Sequence, residues 1–376
     1  MTGSQLKEIF RKCIVSKIIR VLHTEWSIGW GGQEIRVINE MIVVREEGIE
    51  VFLACRDDSM IKKKALENNI KVFTLPFRGN ADFKTLFGLN KIIKAYSIDI
   101  LNTHSGKDTW VGGLAAKLAG IKFIRTRHLS NPISSARTNF INELADYIFT
   151  TGESVRVDMI KYNRIQSHKI QSIPTGIDSS IFNPEKYDID ECRKQFNLRD
   201  DEIAIGILAV LRQFKRHDLF LEMAKAIIEK YPDKKLVFII AGDGPKKNSI
   251  NKIINELNLT SHVKLLGHVN KVSEFLSALD ILVLSSDSKE GVPQSVMQAL
   301  FMSKAVVATN SGSTNDLFNN NNFQLVGTDS SVELVKGISY YIDNDEIKRN
   351  GVLIDEKFSI KFMSRRIVGI YNNLLS

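Results

Sequence analysis

Twice along the chain, short apolar β-rich runs alternate with helix-length amphipathic stretches, and this rhythm restricts the fold more than any other feature. The first series is Ile18–Leu22, Val51–Ala54, Val72–Leu75, Ile98–Leu101, Lys122–Thr126, Tyr147–Thr150 and Lys169–Ile173. The rhythm restarts at Ile203–Ala209 and continues through Leu236–Ala241, Val263–Leu266, Ile281–Leu284 and Ala305–Ala308. Strands this apolar, separated by helices, predict parallel sheets covered on both faces. A cluster of chain breakers, Ile173-Pro174-Thr175-Gly176-Ile177-Asp178 followed by Asn183-Pro184, separates the two series and reads as the linker. The predicted architecture is α/β: two Rossmann-like domains, residues 1–183 and 184–358, and a helical tail over 359–376 expected to pack back on the first domain. Open sheets bind ligands at the carboxyl ends of their strands, so two facing sheets place the expected site in a cleft between domains. Asn319–Asn322 reads as a loop.

At 376 residues the chain is long enough for two such domains. No apolar run approaches the roughly 20 residues that span a bilayer. Lys7, Glu8, Arg11 and Lys12 interrupt the apolar residues at the N-terminus, which does not suit a signal peptide. Cys13, Cys55 and Cys192 lie far apart, which predicts a reducing, cytoplasmic setting and no zinc site. The net charge of +8 favours anionic ligands or surfaces without choosing among them, and its spread along the chain does not suit a nucleic-acid tail. Leu6, Ile9, Phe10, Cys13 and Ile14 recur at helical spacing among Lys7, Arg11 and Lys12. That pattern suits either a helix packed on the domain or a basic amphipathic helix in peripheral contact with an anionic membrane.

Several strand-to-helix turns carry residues suited to a phosphorylated ligand. Gly29-Trp30-Gly31-Gly32-Gln33-Glu34 follows the first strand and opens a helix, where glycine permits close approach and free N–H groups favour phosphate. Alone, it equally suits a tight structural turn. Arg212, Lys215 and Arg216 follow the first strand of the second series and suit either a diphosphate or a solvated face. Ala241-Gly242-Asp243-Gly244-Pro245 is a further strand-to-helix turn. Glu290-Gly291-Val292-Pro293-Gln294 precedes a helix whose N-terminus offers an anion site, with Glu290 as an acceptor for sugar hydroxyls or a helix cap. His104 and His128 follow strands and suit proton transfer, hydrogen bonding or a structural role. Neither a Ser/His/Asp order nor an HExxH motif is apparent, which leaves hydrolase and metalloenzyme readings with little support.

Taken in order, these pieces resemble the family 4 retaining glycosyltransferases of GT-B fold along nearly the full chain. The resemblance rests on Gly31-Gly32-Gln33-Glu34, Arg127-His128, Ile173-Pro174-Thr175-Gly176-Ile177-Asp178, Arg212 with Lys215, Gly242-Asp243-Gly244-Pro245, Gly267-His268-Val269 and Glu290-Gly291-Val292-Pro293-Gln294. The last segment is similar to members that build bacterial lipopolysaccharide and surface polysaccharide. The resemblance implies a nucleotide-sugar-dependent hexosyltransferase, retaining configuration, with a UDP- or GDP-linked donor and a glycan or lipid-linked acceptor. No separate cofactor is expected, and no essential metal, since cationic side chains would take its role. The resemblance assigns the donor diphosphate to Lys215 and a nearby arginine, with Gly31 and Gly32 approaching it. Gly267, His268 and Val269 would adjoin the base, and Gly242 belongs to the same donor-binding set. Glu290 and the backbone of Gly291, Val292, Pro293 and Gln294 would hold the sugar, Gln298 the ribose, and His128 would stand beside the transferred sugar.

The chain departs from the family pattern at three positions. Gln298 stands where a glutamate is usual, and an amide still hydrogen-bonds ribose but without charge. Val210 stands where the arginine before the lysine is expected, with Arg212 on the same loop. Asp316 replaces a common glutamate. The departures at Gln298 and Val210 motivate one alternative, a non-catalytic partner subunit that binds sugar nucleotide or anionic lipid. A second alternative is a GT-B sugar-nucleotide epimerase, which would need acid/base carboxylates near the sugar.

Overall fold

The computed structural model describes residues 18–128, 133–134, 137–287, 290–318, 323–344 and 356–376. The predicted N-terminal helix over Leu6–Ile14 and the predicted loop Asn319–Asn322 lie outside the described residues. The chain folds as two compact units. One comprises residues up to Thr126 with Arg137–Ile148 and Ser364–Ser376; the other comprises Arg127–Ala136 and Phe149–Met363.

The first sheet contains β1 (Arg20–Glu25), β2 (Glu50–Cys55), β3 (Lys71–Thr74), β4 (Ile100–Thr103), β5 (Lys122–Arg127), β6 (Tyr147–Thr150) and β7 (Ile170–Ser172). Its order is β3-β2-β1-β4-β5-β6-β7. Pairing is parallel from β3 through β5. Helices α1 (Gly32–Glu46), α2 (Met60–Glu67), α3 (Phe83–Ala95), α4 (Gly106–Ala119) and α5 (Glu153–Asn163) lie between these strands in sequence. Chain order reverses between β1 and β4, the crossover point at which open α/β sheets leave a crevice.

The second sheet contains β8 (Ile203–Leu208), β9 (Leu236–Ala241), β10 (Val263–Gly267), β11 (Ile281–Leu284), β12 (Ala305–Thr309) and β13 (Phe323–Val326) in the order β10-β9-β8-β11-β12-β13, all parallel. Helices α6 (Ile189–Gln195), α7 (His217–Lys230), α8 (Lys247–Glu256), α9 (Val272–Ala278), α10 (Gln294–Phe301), α11 (Ser331–Asp343) and α12 (Ile360–Leu375) complete the chain. Burial on both faces is visible within single strands. Val237, Ile239 and Ala241 of β9 enter one apolar core, while Phe238 and Ile240 enter the other. This follows from the two-residue side-chain period of a strand and explains why these strands read as unbroken apolar runs rather than as alternations. Here the order reverses between β8 and β11.

The predicted strands recur in place, with ends displaced by at most three residues. Sequence reading missed β13. It has only four residues and forms an edge, pairing with β12 alone, so its sequence carries little periodic signal.

The first unit carries a buried polar network. Arg36 and Glu40, one turn apart on α1, form a fully buried ion pair at 3.2 Å. Glu40 also accepts from Asn102 Nδ2 at 3.2 Å, and Tyr371 Oη lies 3.4 Å from it. Thr126 Oγ1 donates to Asn102 Oδ1 at 2.9 Å. On α12, Ser364 Oγ donates to the Val43 carbonyl at 3.2 Å. The C-terminal segment is thus held to α1 by specific hydrogen bonds, while the Arg36 Nη2 of the same network is buried without a hydrogen-bond partner among the described residues.

Candidate donor-binding site

In the second unit, the candidate residues gather at the carboxyl ends of the strands. Lys215 follows β8 and Glu290 follows β11, the two strands that flank the reversal of order. Their side chains meet as an ion pair across 75 residues of sequence. Glu290 also accepts from Ser286 Oγ at 2.9 Å. Both side chains are largely covered, with 15% and 9% of their surface exposed.

The loops that carry this pair are stitched together through their backbones. Ser285 Oγ donates to the carbonyls of Lys215 and Arg216 at 2.9 and 3.0 Å. Asp287 N–H donates to the Phe214 carbonyl at 2.8 Å, and Thr309 Oγ1 to the Ser286 carbonyl at 2.6 Å. Arg216 holds a left-handed backbone at φ 48°, unfavourable for a side-chain-bearing residue. Asp218 accepts from its guanidinium at 2.9 Å, and Asp329 pairs with it from a distant loop. Arg216 is therefore engaged in holding the turn. Arg212 is exposed and forms no side-chain hydrogen bond or ion pair among the described residues. His217 is buried behind this turn. Burial first, and then the Lys215 cation, push its pKa down to about 4, so it is neutral at pH 7.

Glu290 is followed by the start of α10, whose N-cap is Pro293. Among the described residues no side chain accepts from the start of this helix, whose first-turn N–H groups have no intrahelical acceptor. An uncapped start beside a lysine favours an anion. Gln294 and Gln298 lie one turn apart and are both partly exposed. Gln298 is thus placed along the same helix face as Gln294, further from its start.

Glycines set the spacing of the loops. Gly312 has φ 54°, and a β-carbon there would sit 1.6 Å from the Glu290 carbonyl oxygen. A β-carbon on Gly242, at φ 146°, would meet the Ala209 carbonyl at 1.9 Å. Gly242 therefore supports the loop leading to Arg212 by close backbone packing. Its N–H donates to the Gly267 carbonyl at 2.7 Å, where the β9–β10 register shifts. His268 is exposed and Val269 partly buried beyond that bulge. Gly312→Ala is expected to displace Glu290 and lower turnover about 100-fold, in line with misplacement of about 1 Å. Steady-state rates, with circular dichroism to verify folding, check this.

His128 belongs to the same unit. Its carbonyl accepts from Thr151 Oγ1 at 3.2 Å, and a β-carbon on Gly291 would lie 3.2 Å from that carbonyl. The backbone of His128 thus adjoins Gly291, while Gly152 adjoins Val292 and Ser313. Asp316 Oδ2 accepts from the Glu153 N–H at 2.7 Å and caps α5. Burial raises the Asp316 pKa even though the Glu153 N–H bond opposes the rise. Sequence reasoning did not select Thr151, Gly152, Gly312 or Ser313. The signal present in the sequence was the same strand-end polar turn used elsewhere, at Thr150-Thr151-Gly152-Glu153 and at Asn310-Ser311-Gly312-Ser313.

Gly31 and Gly32 lie in the first unit. Gly31 caps α1, and its N–H donates to the Glu34 carboxylate at 2.8 Å. Glu25, at the end of β1, accepts from Ser27 N–H at 2.9 Å and Gln33 Nε2 at 2.5 Å. Burial first, then the Asp108 charge, push the Glu25 pKa up to about 8. This helix start already has a carboxylate partner, unlike the start of α10. A raised carboxyl pKa stabilises the fold at low pH. That contribution is complete below about 4.5 and is lost as pH rises through about 8. The difference in melting temperature between the wild type and Glu25→Gln is therefore expected to decline across that window; a difference independent of pH would contradict the assignment. Among the described residues, no three His, Cys, Asp or Glu side chains converge as a metal site.

Residues 30–181 match the family model described as Glycosyltransferase Family 4, and residues 188–357 match that described as Glycosyl transferases group 1. The UDP-Gal:alpha-D-GlcNAc-diphosphoundecaprenol alpha-1,3-galactosyltransferase of Escherichia coli is 26% identical over 319 residues, covering 80% of this chain and 82% of its own length. A glycosyltransferase structure from Rickettsia africae ESF-5 superimposes with a TM-score of 0.85 at 20% identity, covering 96% of this chain and 99% of its own. Anabaena Alr3699/HepE, solved with UDP and glucose, superimposes with a TM-score of 0.80 at 17% identity, covering 94% and 100%.

Proposed function

The chain belongs to the family 4 glycosyltransferases of GT-B fold, and from that premise we propose that it transfers a hexose from a UDP- or GDP-linked donor to a hydroxyl of a glycan or lipid-linked acceptor, with retention, in lipopolysaccharide, O-antigen or capsule synthesis. The observation that carries this reading is the convergence of Lys215 and Glu290 beside an uncapped helix start at the β8/β11 crossover. The galactosyltransferase relative, named for its use of UDP-galactose and a diphosphoundecaprenol-linked sugar, supports the acceptor class. The UDP-bound structural relative supports the donor class.

In this mechanism the bond between the anomeric carbon and the diphosphate oxygen breaks, and its electron pair leaves with the diphosphate. Lys215, Arg212 and the first-turn N–H groups of α10 stabilise that growing charge. Binding of the donor draws Lys215 toward phosphate and leaves Glu290 to accept from sugar hydroxyls. The acceptor hydroxyl attacks on the face of departure, and its proton passes to a leaving-group phosphate oxygen. His128 positions the sugar, Gly267, His268 and Val269 adjoin the base, and Gln298 hydrogen-bonds ribose. Cationic side chains supply the charge that a metal would, so turnover is expected to survive chelation.

The test is a thermal-shift screen of nucleotide sugars, followed by turnover of the stabilising donor with membrane extract, with and without chelator. Transfer of labelled sugar to extractable lipid or glycan supports the proposal. Interconversion of donor without acceptor would instead indicate an epimerase. Tight binding without turnover would indicate a non-catalytic partner, the reading motivated by Val210 and Gln298.

A further inference from the structure

The first unit exposes an apolar and basic face on α3. Phe83 and Phe87 are the most exposed phenylalanines among the described residues, at 67% and 70%. They lie one turn apart, and Lys91 and Lys94 continue the same stripe at helical spacing. The opposite stripe, Thr85, Leu89, Ile92 and Ile93, is buried. The outward face of this helix therefore reads Phe-Phe-Lys-Lys, with exposed Lys84 beside it.

Charge reinforces the pattern. Residues 56–94 hold nine Lys and Arg against four Asp and Glu. All four acids are already engaged within the unit. Asp57 pairs with Lys62, Asp58 with Arg56, and Glu67 with Lys64, while Asp82 caps α3. Lys63, Lys84, Lys91 and Lys94 are exposed and form no ion pair among the described residues, although Lys63 adds to the field at Glu67; Lys84, Lys91 and Lys94 have no acidic partner there. The hollow lined by Asp57, Asp58 and Lys63 shares Asp57 and Asp58 with the hollow lined by Lys84, so these cations belong to adjoining surface.

We propose that this face, centred on Phe83 and Phe87 and ringed by Lys84, Lys91 and Lys94, docks the protein onto an anionic lipid bilayer. Phenylalanine rings enter the acyl boundary, and lysines reach past them to lipid phosphates. The residue mixture favours a bilayer over a protein partner, because lysine is depleted where protein interfaces bury their centres. A second copy is disfavoured because the same unpaired cations would face each other. The inference deepens the lipid-linked-acceptor reading, but its test needs neither donor nor acceptor, so the two fail separately.

Full-length protein is floated with phosphatidylcholine vesicles, with and without phosphatidylglycerol. Binding is expected only where phosphatidylglycerol is present and is expected to weaken as salt rises. Phe83→Ser/Phe87→Ser should lower partitioning about tenfold or more. Lys84→Gln and Lys91→Gln should each lower it about fivefold, and they keep α3 intact if the serine variant unfolds. Thermal melts and donor-induced stabilisation should be unchanged in the lysine variants. Failure of the wild type to bind phosphatidylglycerol vesicles overturns the proposal. So does undiminished binding by folded variants of both kinds, or light scattering that finds a dimer dissolved by the phenylalanine substitutions.

Discussion

Lys215→Ala is expected to lower the rate of sugar transfer by about 10²–10³-fold, the effect of deleting one preorganised donor aimed at developing charge. Two roles are lost together. On the proposed reading the leaving diphosphate loses a side-chain cation, and Glu290 loses its partner, keeping the Ser286 hydroxyl. Glu290→Ala is expected to fall by a similar factor, because Lys215 then lacks its counter-ion and the donor sugar lacks an acceptor. The pair is in contact, so the double variant should lose less than the product of the two single effects. Rapid-quench measurement of labelled product at saturating donor reads these rates, and thermal melts separate chemistry from unfolding. Near wild-type turnover in both single variants would sink the site assignment.

Arg36→Met is expected to destabilise the first unit by about 3–5 kcal/mol, the cost of leaving a buried charge without its partner. Both members of the Arg36–Glu40 pair are fully buried. Burial raises the Glu40 pKa and lowers that of Arg36, so each depends on the other to remain charged. Asn102 and Tyr371 remain as neutral hydrogen-bond partners of Glu40, which does not replace a charge. Arg36→Met/Glu40→Met should recover most of the loss, since paired apolar groups carry no desolvation cost. Tyr371→Phe removes one neutral hydrogen bond and should cost about 1 kcal/mol. Urea unfolding followed by tryptophan fluorescence checks the order. Equal stability of Arg36→Met and the wild type would refute the account.

The strands were legible because their periodicity is local. A parallel strand covered on both faces must be apolar throughout, so Leu236–Ala241 announces itself. The turn chemistry was also legible, because a glycine or proline at a strand end reports a backbone demand fixed within a few residues. Gly242 and Pro293 were found in that way, although their uses differ. Pro293 heads an uncapped helix suited to an anion, whereas Gly242 makes room for the Ala209 carbonyl. The same local signal, a turn residue after a strand, served two ends, and only packing distinguishes them.

Glu290-Gly291-Val292-Pro293-Gln294 illustrates the division. The sequence by itself determined that a strand precedes this segment, that a helix follows it, and that a carboxylate stands at the helix start. It determined likewise that Lys215 follows a strand end. Tertiary structure decided that these two ends flank one crossover and that Lys215 and Glu290 pair. It also decided that Gly312 lies against the Glu290 carbonyl, and that Arg216 holds the turn while Arg212 remains exposed. The same holds for Glu25 and Glu34, which give the Gly31–Gly32 helix start an acidic setting. The physical reason is range. Strand, helix and turn preferences act over a few residues and are written in consecutive side chains. Contacts between loops 75 residues apart arise from strand order, and strand order is set by how whole apolar faces pack.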